Sequence, residues 1–162
     1  PKVVPSYLDM LKNDPDLNVR AEAANALHLF VDLGELEEIP ENIYHQVEDA
    51  LLASAASEDE SRVRRTALES LGYSSRPEVT TLIESAFHRE DPAWQASSLV
   101  AMGRSADERW DEEVTRSLIH VNDRIRKAAV QAARCGHKWS ARSGLIPSSS
   151  PIIGPDQRAS TG

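Results

Sequence analysis

The side chains able to do chemistry are few in this chain and scattered along it. The five histidines are His28, His45, His88, His120 and His137, and no two of them stand four residues apart. A helix that grips a metal through two imidazoles needs that spacing. Cys135, the single cysteine, lies close to His137, but a tetrahedral zinc site needs further ligands that the neighbourhood lacks. Gly72 and Gly103 belong to no glycine-rich phosphate loop, and no Ser, Thr or Cys sits in a recognisable nucleophile motif. Acidic residues are so plentiful that a nearby pair of them carries no catalytic information. The residues therefore predict no enzyme, no metal and no cofactor. What remains is one dense cationic run, Arg62-Val63-Arg64-Arg65, inside an acidic chain.

That run belongs to an element the chain repeats. Val19, Val63, Trp94 and Ile125 are spaced by 44, 31 and 31 residues, and a fixed period of about 20 to 50 residues marks a repeat array. With those four residues as position zero, the surrounding columns agree. Three residues earlier stand Asp16, Glu60, Asp91 and Asn122; one residue later stand Arg20, Arg64, Gln95 and Arg126. Position +4 holds Ala23, Ala67, Ser98 and Ala129, and position +5 holds Ala24, Leu68, Leu99 and Val130. Position +7 holds Ala26, Ser70, Ala101 and Ala132; position +8 holds Leu27, Leu71, Met102 and Ala133.

Each column has a physical reason. A side-chain oxygen at −3 accepts from free backbone N–H groups at a helix start, and Pro92 after Asp91 suits the first helical position. Positions 0, +4, +5, +7 and +8 share one face at about 100° per residue, an apolar stripe. Small residues at +4 and +7 let a neighbouring helix approach. Gly34, Gly72 and Gly103 are expected to end helices, the last two in a left-handed conformation. A shorter apolar pattern precedes each copy: Tyr7-Leu8 and Leu11; Val47, Leu51-Leu52 and Ala55; Val79, Leu82-Ile83 and Ala86-Phe87; Val114, Leu118-Ile119. Each unit is thus predicted to be two antiparallel helices, A then B.

The pattern Asp/Glu-x-x-Val-Arg-x-x-Ala-x-x-Ala/Ser-Leu resembles HEAT repeats, in particular the short bacterial kind also found in bilin lyases. It extends over roughly residues 7–136. The third unit departs from it with Trp94-Gln95, the fourth with Asn122 and Ala133, and the first gap is longer than the others. The resemblance implies an all-α, armadillo-like solenoid of about four antiparallel HEAT-like helical pairs. It also implies that the B helices line a concave surface where partners bind.

Composition fits a helical core and narrows the partners. Aromatic residues make up 5 % of the 162 residues, as expected where Ala, Leu and Val do the packing. The net charge is −8, and the sequence after Gly136 is slightly basic, so the repeats carry about −10. Nucleic acid and anionic membranes are therefore not expected as partners. No apolar run is long enough to span a bilayer and no signal peptide is recognisable, so a soluble, cytoplasmic protein is expected. The chain starts at Pro1 rather than Met, which suggests a fragment or processed product.

In chain order, the repeats are expected at about 1–34, 43–73, 77–104 and 107–136, in one solenoid of residues 1–136. The acidic stretch at 35–42 reads as a solvated linker rather than a contact loop for a basic partner. Ser57 and Glu60 offer a capping box. Residues 137–162, rich in Ser, Pro and Gly, read as a flexible tail. Its Leu145-Ile146 and Ile152-Ile153 could dock on the last repeat.

The arginine column, Arg20, Arg64 and Arg126 with Gln95, reads as a structural ladder paired with Asp14, Glu58 or acids of the next repeat, rather than as an anion site. Columns +2 and +6 are expected on the solvent side of helix B. From them come the expected protein-binding residues Asn25, Arg65, Glu69, Ala96, Val100, Lys127 and Gln131, with Ala96 and Val100 as an exposed apolar spot. Arg62 has no column and no assigned role. Trp94 reads as core; Trp110 and Trp139 as partner anchors or packing. The expected function is a non-catalytic protein-binding or scaffolding module with a protein partner, and self-association through the open ends is a further expectation. Two other functions follow from the resemblance alone: a bilin-lyase-like subunit acting on chromophore proteins, and DNA-lesion recognition, against which the acidic charge argues.

Overall fold

The computed structural model describes residues 2–57 and 59–142, with side chains through residue 135. Eight α-helices account for almost all of it: α1 (Val4–Asn13), α2 (Leu17–Glu35), α3 (Glu41–Ala56), α4 (Ser61–Leu71), α5 (Pro77–Phe87), α6 (Pro92–Ser105), α7 (Asp111–Ser117) and α8 (Asp123–Arg142). A short 3-10 turn, Glu108–Trp110, precedes α7. Among the described residues there is no β-strand, and no helix is long and apolar enough to cross a membrane. The fold is all-α with antiparallel packing.

The helix starts follow from short side chains. The Asp16 carboxylate accepts from the Asn18 N–H at 2.7 Å, and Asp91 accepts from the Ala93 N–H at 2.7 Å with Pro92 beginning α6. Asn122 accepts from the Arg124 N–H at 3.0 Å at the start of α8. These bonds satisfy amides that a helix start leaves open. Glu60, in the same column, makes no such bond. Its side chain is one methylene longer, and the neighbouring Asp59 accepts from the Glu60 N–H instead. The expected Ser57–Glu60 capping box is not formed: Ser57 donates back to the Ser54 carbonyl and accepts from the Asp59 N–H.

The contacts are consistent with successive helical pairs. α1 packs on α2, α3 on α4, α5 on α6 and α7 on α8. The even-numbered helices also pack on one another in order, α2 on α4, α4 on α6 and α6 on α8, the last most extensively. The apolar stripe supplies this core: Val63, Trp94 and Ile125, Ala67, Leu68, Leu71, Leu99, Ala101 and Met102 are all buried. Two ends of the stripe differ. Val19 is only half-buried, and Val130 is 51 % exposed where Ala24, Leu68 and Leu99 are fully covered. Among the described residues, no further pair precedes α1 or follows α8 to cover these positions.

Of the three glycines expected to end helices, Gly72 alone stands at a helix end, as the cap of α4, and each of the three meets a close neighbour. α2 continues past Gly34 to Glu35, and a Cβ at Gly34 would stand 2.0 Å from the Tyr44 ring. Gly72 keeps a right-handed conformation at φ −55°, and Gly103 lies inside α6. A Cβ at Gly72 would meet the Ala101 main chain at 2.7 Å, and one at Gly103 the Ala132 Cα at 2.4 Å. These glycines set how closely α4, α6 and α8 approach. The left-handed positions fall instead on Glu37 (φ 57°) and Ala106 (φ 49°), where a side chain raises the energy by roughly 1–2 kcal/mol.

The 35–42 segment is a joint rather than a free linker. Its helical ends leave only a short turn, Ile39 packs against the core, and Glu35 accepts from the Tyr44 hydroxyl at 2.5 Å and the Ser75 N–H at 2.6 Å. At the other end, α8 passes through Gly136 to Arg142. Whether Leu145-Ile146 and Ile152-Ile153 dock on the last repeat lies outside the described residues, as does any role for the Trp139 side chain.

Candidate interaction surface

The B-helix face is formed by α2, α4, α6 and α8. Asn25, Lys127 and Gln131 are exposed on it, while Arg65, Glu69 and Val100 are half-buried. Ala96 is buried, at 7 % exposure, and Ser97 beside it at 2 %. The exposed apolar spot expected at Ala96 and Val100 therefore reduces to part of Val100. Crowding from neighbouring helices explains it: Glu69 reaches from α4 to accept a 2.5 Å hydrogen bond from the Ser97 hydroxyl of α6. Arg104 of α6 donates back to the Glu69 carbonyl at 2.6 Å.

Arg62, left without a role by the column analysis, ties α4 to α2. Its guanidinium donates to the Asn18 side chain and stands 3.7 Å from the Glu22 carboxylate. Arg65 is placed differently. Its Nε is buried without a hydrogen-bond partner. Desolvation first, and then the charge of Arg124 on α8, push its pKa down, with Glu69 and Asp91 acting in the opposite sense. Lys127 is exposed, 3.8 Å from Asp123 one turn earlier. Arg124 was missed by sequence reasoning. It occupies the column just before position zero, and Arg62 in the same column was the available signal.

The arginine column lies on the edge where A helices turn into B helices. Arg20 donates to the Asp14 carbonyl at 2.8 Å and makes a two-pronged pair with Asp59 of the next turn, at 2.9 and 2.7 Å. Arg20 holds the Asp59 carboxyl below its ordinary range. Arg126 donates to the His120 and Val121 carbonyls at 2.8 Å each. These are carbonyls at the end of the preceding A helix or just beyond it, where free acceptors collect. Arg64 donates to the Ala55 carbonyl at 3.3 Å, and its guanidinium lies 5.4 Å from the Trp94 ring centre. Arg89 covers the same ring at 4.1 Å. Trp94 is thus buried core flanked by two cations, a favourable arrangement for an indole. The three arginines of this column serve contacts within the fold.

A second polar cluster joins α2, α3 and the α4–α5 turn. Glu48 is fully buried on α3 and accepts from the Ser74 hydroxyl at 2.5 Å. The His45 ring stands 3.1 Å from the same carboxylate, and Arg76 pairs with Asp49 at 2.6 Å. Hydrogen bonding to Glu48 and then Glu41 raises the His45 pKa. Burial first, and the bond to Glu35 second, raise that of Tyr44. No sequence signal pointed to Glu48, because an acid beside Val47 reads as the wet side of a helix.

Clefts lie both on the B helix α8, where one is lined by Lys127, Val130, Gln131, Arg134 and Cys135, and on this loop edge. The loop-edge cleft, of about 270 Å³, is lined by residues that include Glu35, Tyr73, Ser75, Arg104, Arg109 and Trp110. Its charged groups are used inside the fold: Glu35 holds Tyr44 and Ser75, Arg104 holds the Glu69 carbonyl, and Arg109 pairs with Asp107 at 2.7 Å. Trp110 is buried there at 6 % exposure and acts as packing. Among the described residues no group of three or more His, Cys, Asp or Glu side chains is placed to hold a metal ion. No family model and no curated protein matches the chain.

Proposed function

We propose that this chain is a HEAT-like α-solenoid of four helical pairs, and that it works as a non-catalytic protein-binding or scaffolding module through its B-helix face. The observation that carries the reading is the serial packing of α2, α4, α6 and α8, which puts equivalent columns of four helices side by side on one surface. Stacked pairs of this kind create extended binding surfaces. The internal use of the Arg20, Arg64 and Arg126 side chains adds to it, because the positions left facing outward are then those of the +6 column with Arg65 and Lys127 of the +2 column, whose Ala21 and Ala96 are buried.

The test is affinity capture with the chain and with an Arg65→Glu/Lys127→Glu variant of unchanged helical content. A partner held by the parent and lost by the variant, and cross-linked to the parent near Asn25 or Gln131, is the expected result. A partner retained equally by both removes the assignment of this face.

A further inference from the structure

The last helix of the B series narrows the kind of partner. Columns +5 and +9 hold Leu68 and Gly72 on α4, and Leu99 and Gly103 on α6, all four buried. The two glycines lie against Ala101 and Ala132 of the following helix. On α8 the same columns hold Val130 and Arg134, and both are exposed. A cleft of about 430 Å³ lies there, lined by Lys127, Val130, Gln131, Arg134 and Cys135. Among the described residues Arg134 makes no ion pair. Lys127 pairs with Asp123 at 3.8 Å, with both side chains standing in solvent, where such a pair contributes little. The charge of α8 is also unlike that of the molecule. Its sequence holds six Lys and Arg against Asp123 alone, in a chain of net charge −8. Arg134 excludes one way of covering this face. A Cβ at Gly72 or Gly103 would already stand 2.7 or 2.4 Å from main-chain atoms of the following helix. The far longer Arg134 side chain bars a further helix at that spacing. Neither a fifth pair nor a second copy stacked as α8 stacks on α6 fits there.

We propose that this end face of α8 docks an acidic amphipathic helix of a partner protein. The helix lies further out than α6 lies from α8, with carboxylates on Lys127 and Arg134 and an apolar side chain on Val130 between them. The proposal rests on the reading of the chain as a protein-binding module and assigns the contact to its last B helix. Lys127 and Arg134 are seven residues apart, or about 10 Å along the helix axis, and Val130 stands between them. Two glutamates at that spacing on another helix, with a leucine between, are complementary in charge and in apolar surface. Arginine suits the role because its planar fork presents paired donors to a carboxylate. The sequence beyond Arg142 holds one acidic side chain, Asp156, and does not supply such a pair. The net charge of −8 disfavours nucleic acid, whose many phosphates the rest of the molecule repels.

The probe is a fluorescently labelled peptide of about 18 residues, long enough to form a helix alone, that carries Glu-x-x-Leu-x-x-x-Glu on one face. It is titrated with the full chain, and binding is read by anisotropy at low and high salt. Salt-sensitive binding is expected, weakened about tenfold by Arg134→Glu and by Lys127→Glu, because a repulsion replaces each attraction. Both positions are exposed, so the variants keep the fold. Lys12→Glu, on α1, leaves binding unchanged. A peptide of the same composition with its leucine moved to the opposite face binds more weakly. Absence of binding overturns the proposal, as does equal binding by the parent and both α8 variants. So does an equal loss with Lys12→Glu, or equal binding of the rearranged peptide. A chain that is dimeric alone and monomeric as Arg134→Glu makes the occupant a second copy and overturns it too. If the peptide fails while Arg65→Glu/Lys127→Glu still abolishes partner capture, the protein-binding reading stands and the acidic helix falls. If capture is also unaffected, both fall.

Discussion

The Ser70 hydroxyl is buried and has no hydrogen-bond partner, in a column that is otherwise Ala26, Ala101 and Ala132. The buried serines of α6 show the contrast: Ser97 reaches Glu69 and Ser98 reaches the Trp94 carbonyl. A hydroxyl buried without a partner is destabilising by about 1–3 kcal/mol on mutational scales. Ser70→Ala is therefore predicted to raise the thermal midpoint, with a gain of about 1 kcal/mol in denaturant unfolding. A loss of 1 kcal/mol or more would show that Ser70 has an acceptor after all. Single residues were unevenly legible in the sequence. Core positions such as Val63, Leu68 and Leu99 follow from period alone, because burial repeats with the helix turn. Glu48, Ser70 and Arg65 do not, because whether a polar group finds a partner depends on a neighbouring helix that no local spacing describes.

At the scale of helices, the contact between Gly103 and Ala132 sets the distance from α6 to α8. Alanine in a helix interior is ordinarily favoured over glycine by about 1 kcal/mol. Here the added methyl would meet main-chain atoms at 2.4 Å, and neither helix can yield by rotating a side chain. Gly103→Ala is predicted to destabilise by about 1–3 kcal/mol, the usual penalty of overpacking, read from the denaturation midpoint. An increase in stability would mean that α6 and α8 separate freely. Helix beginnings were legible because Asp16, Asp91 and Asn122 act on amides two residues away. Endings at glycine were legible only at Gly72. Glycine after an apolar stripe fits a terminator and a close contact equally well, and only the position of the next helix separates the two. For the same reason the continuation of α8 through Gly136 left no mark in the local pattern.

Across the whole molecule the contacts are unevenly shared. α2 packs broadly on α4 and α6 more broadly still on α8, whereas the half containing α1–α4 meets the half containing α5–α8 chiefly through α4 and α6. That narrower junction is where Gly72 touches the Ala101 main chain. Paired spin labels test whether it yields. A label at Cys135 of α8 paired with Asn25→Cys on α2 spans the junction, and one paired with Glu90→Cys before α6 does not. The prediction is a broader distance distribution for the first pair; equal widths would mean that the two halves move as one. The overall class and the order of the pairs were legible from four aligned columns, but the inequality of the junctions was not, because the columns are nearly alike. A consequence follows for the glycine contact itself. Arg65 belongs to one half and Arg124 to the other, so Gly72 against Ala101 is the fulcrum about which their separation changes if the junction yields. A partner that bridges the two halves fixes the angle at that fulcrum and narrows the spread of the Asn25→Cys to Cys135 distance.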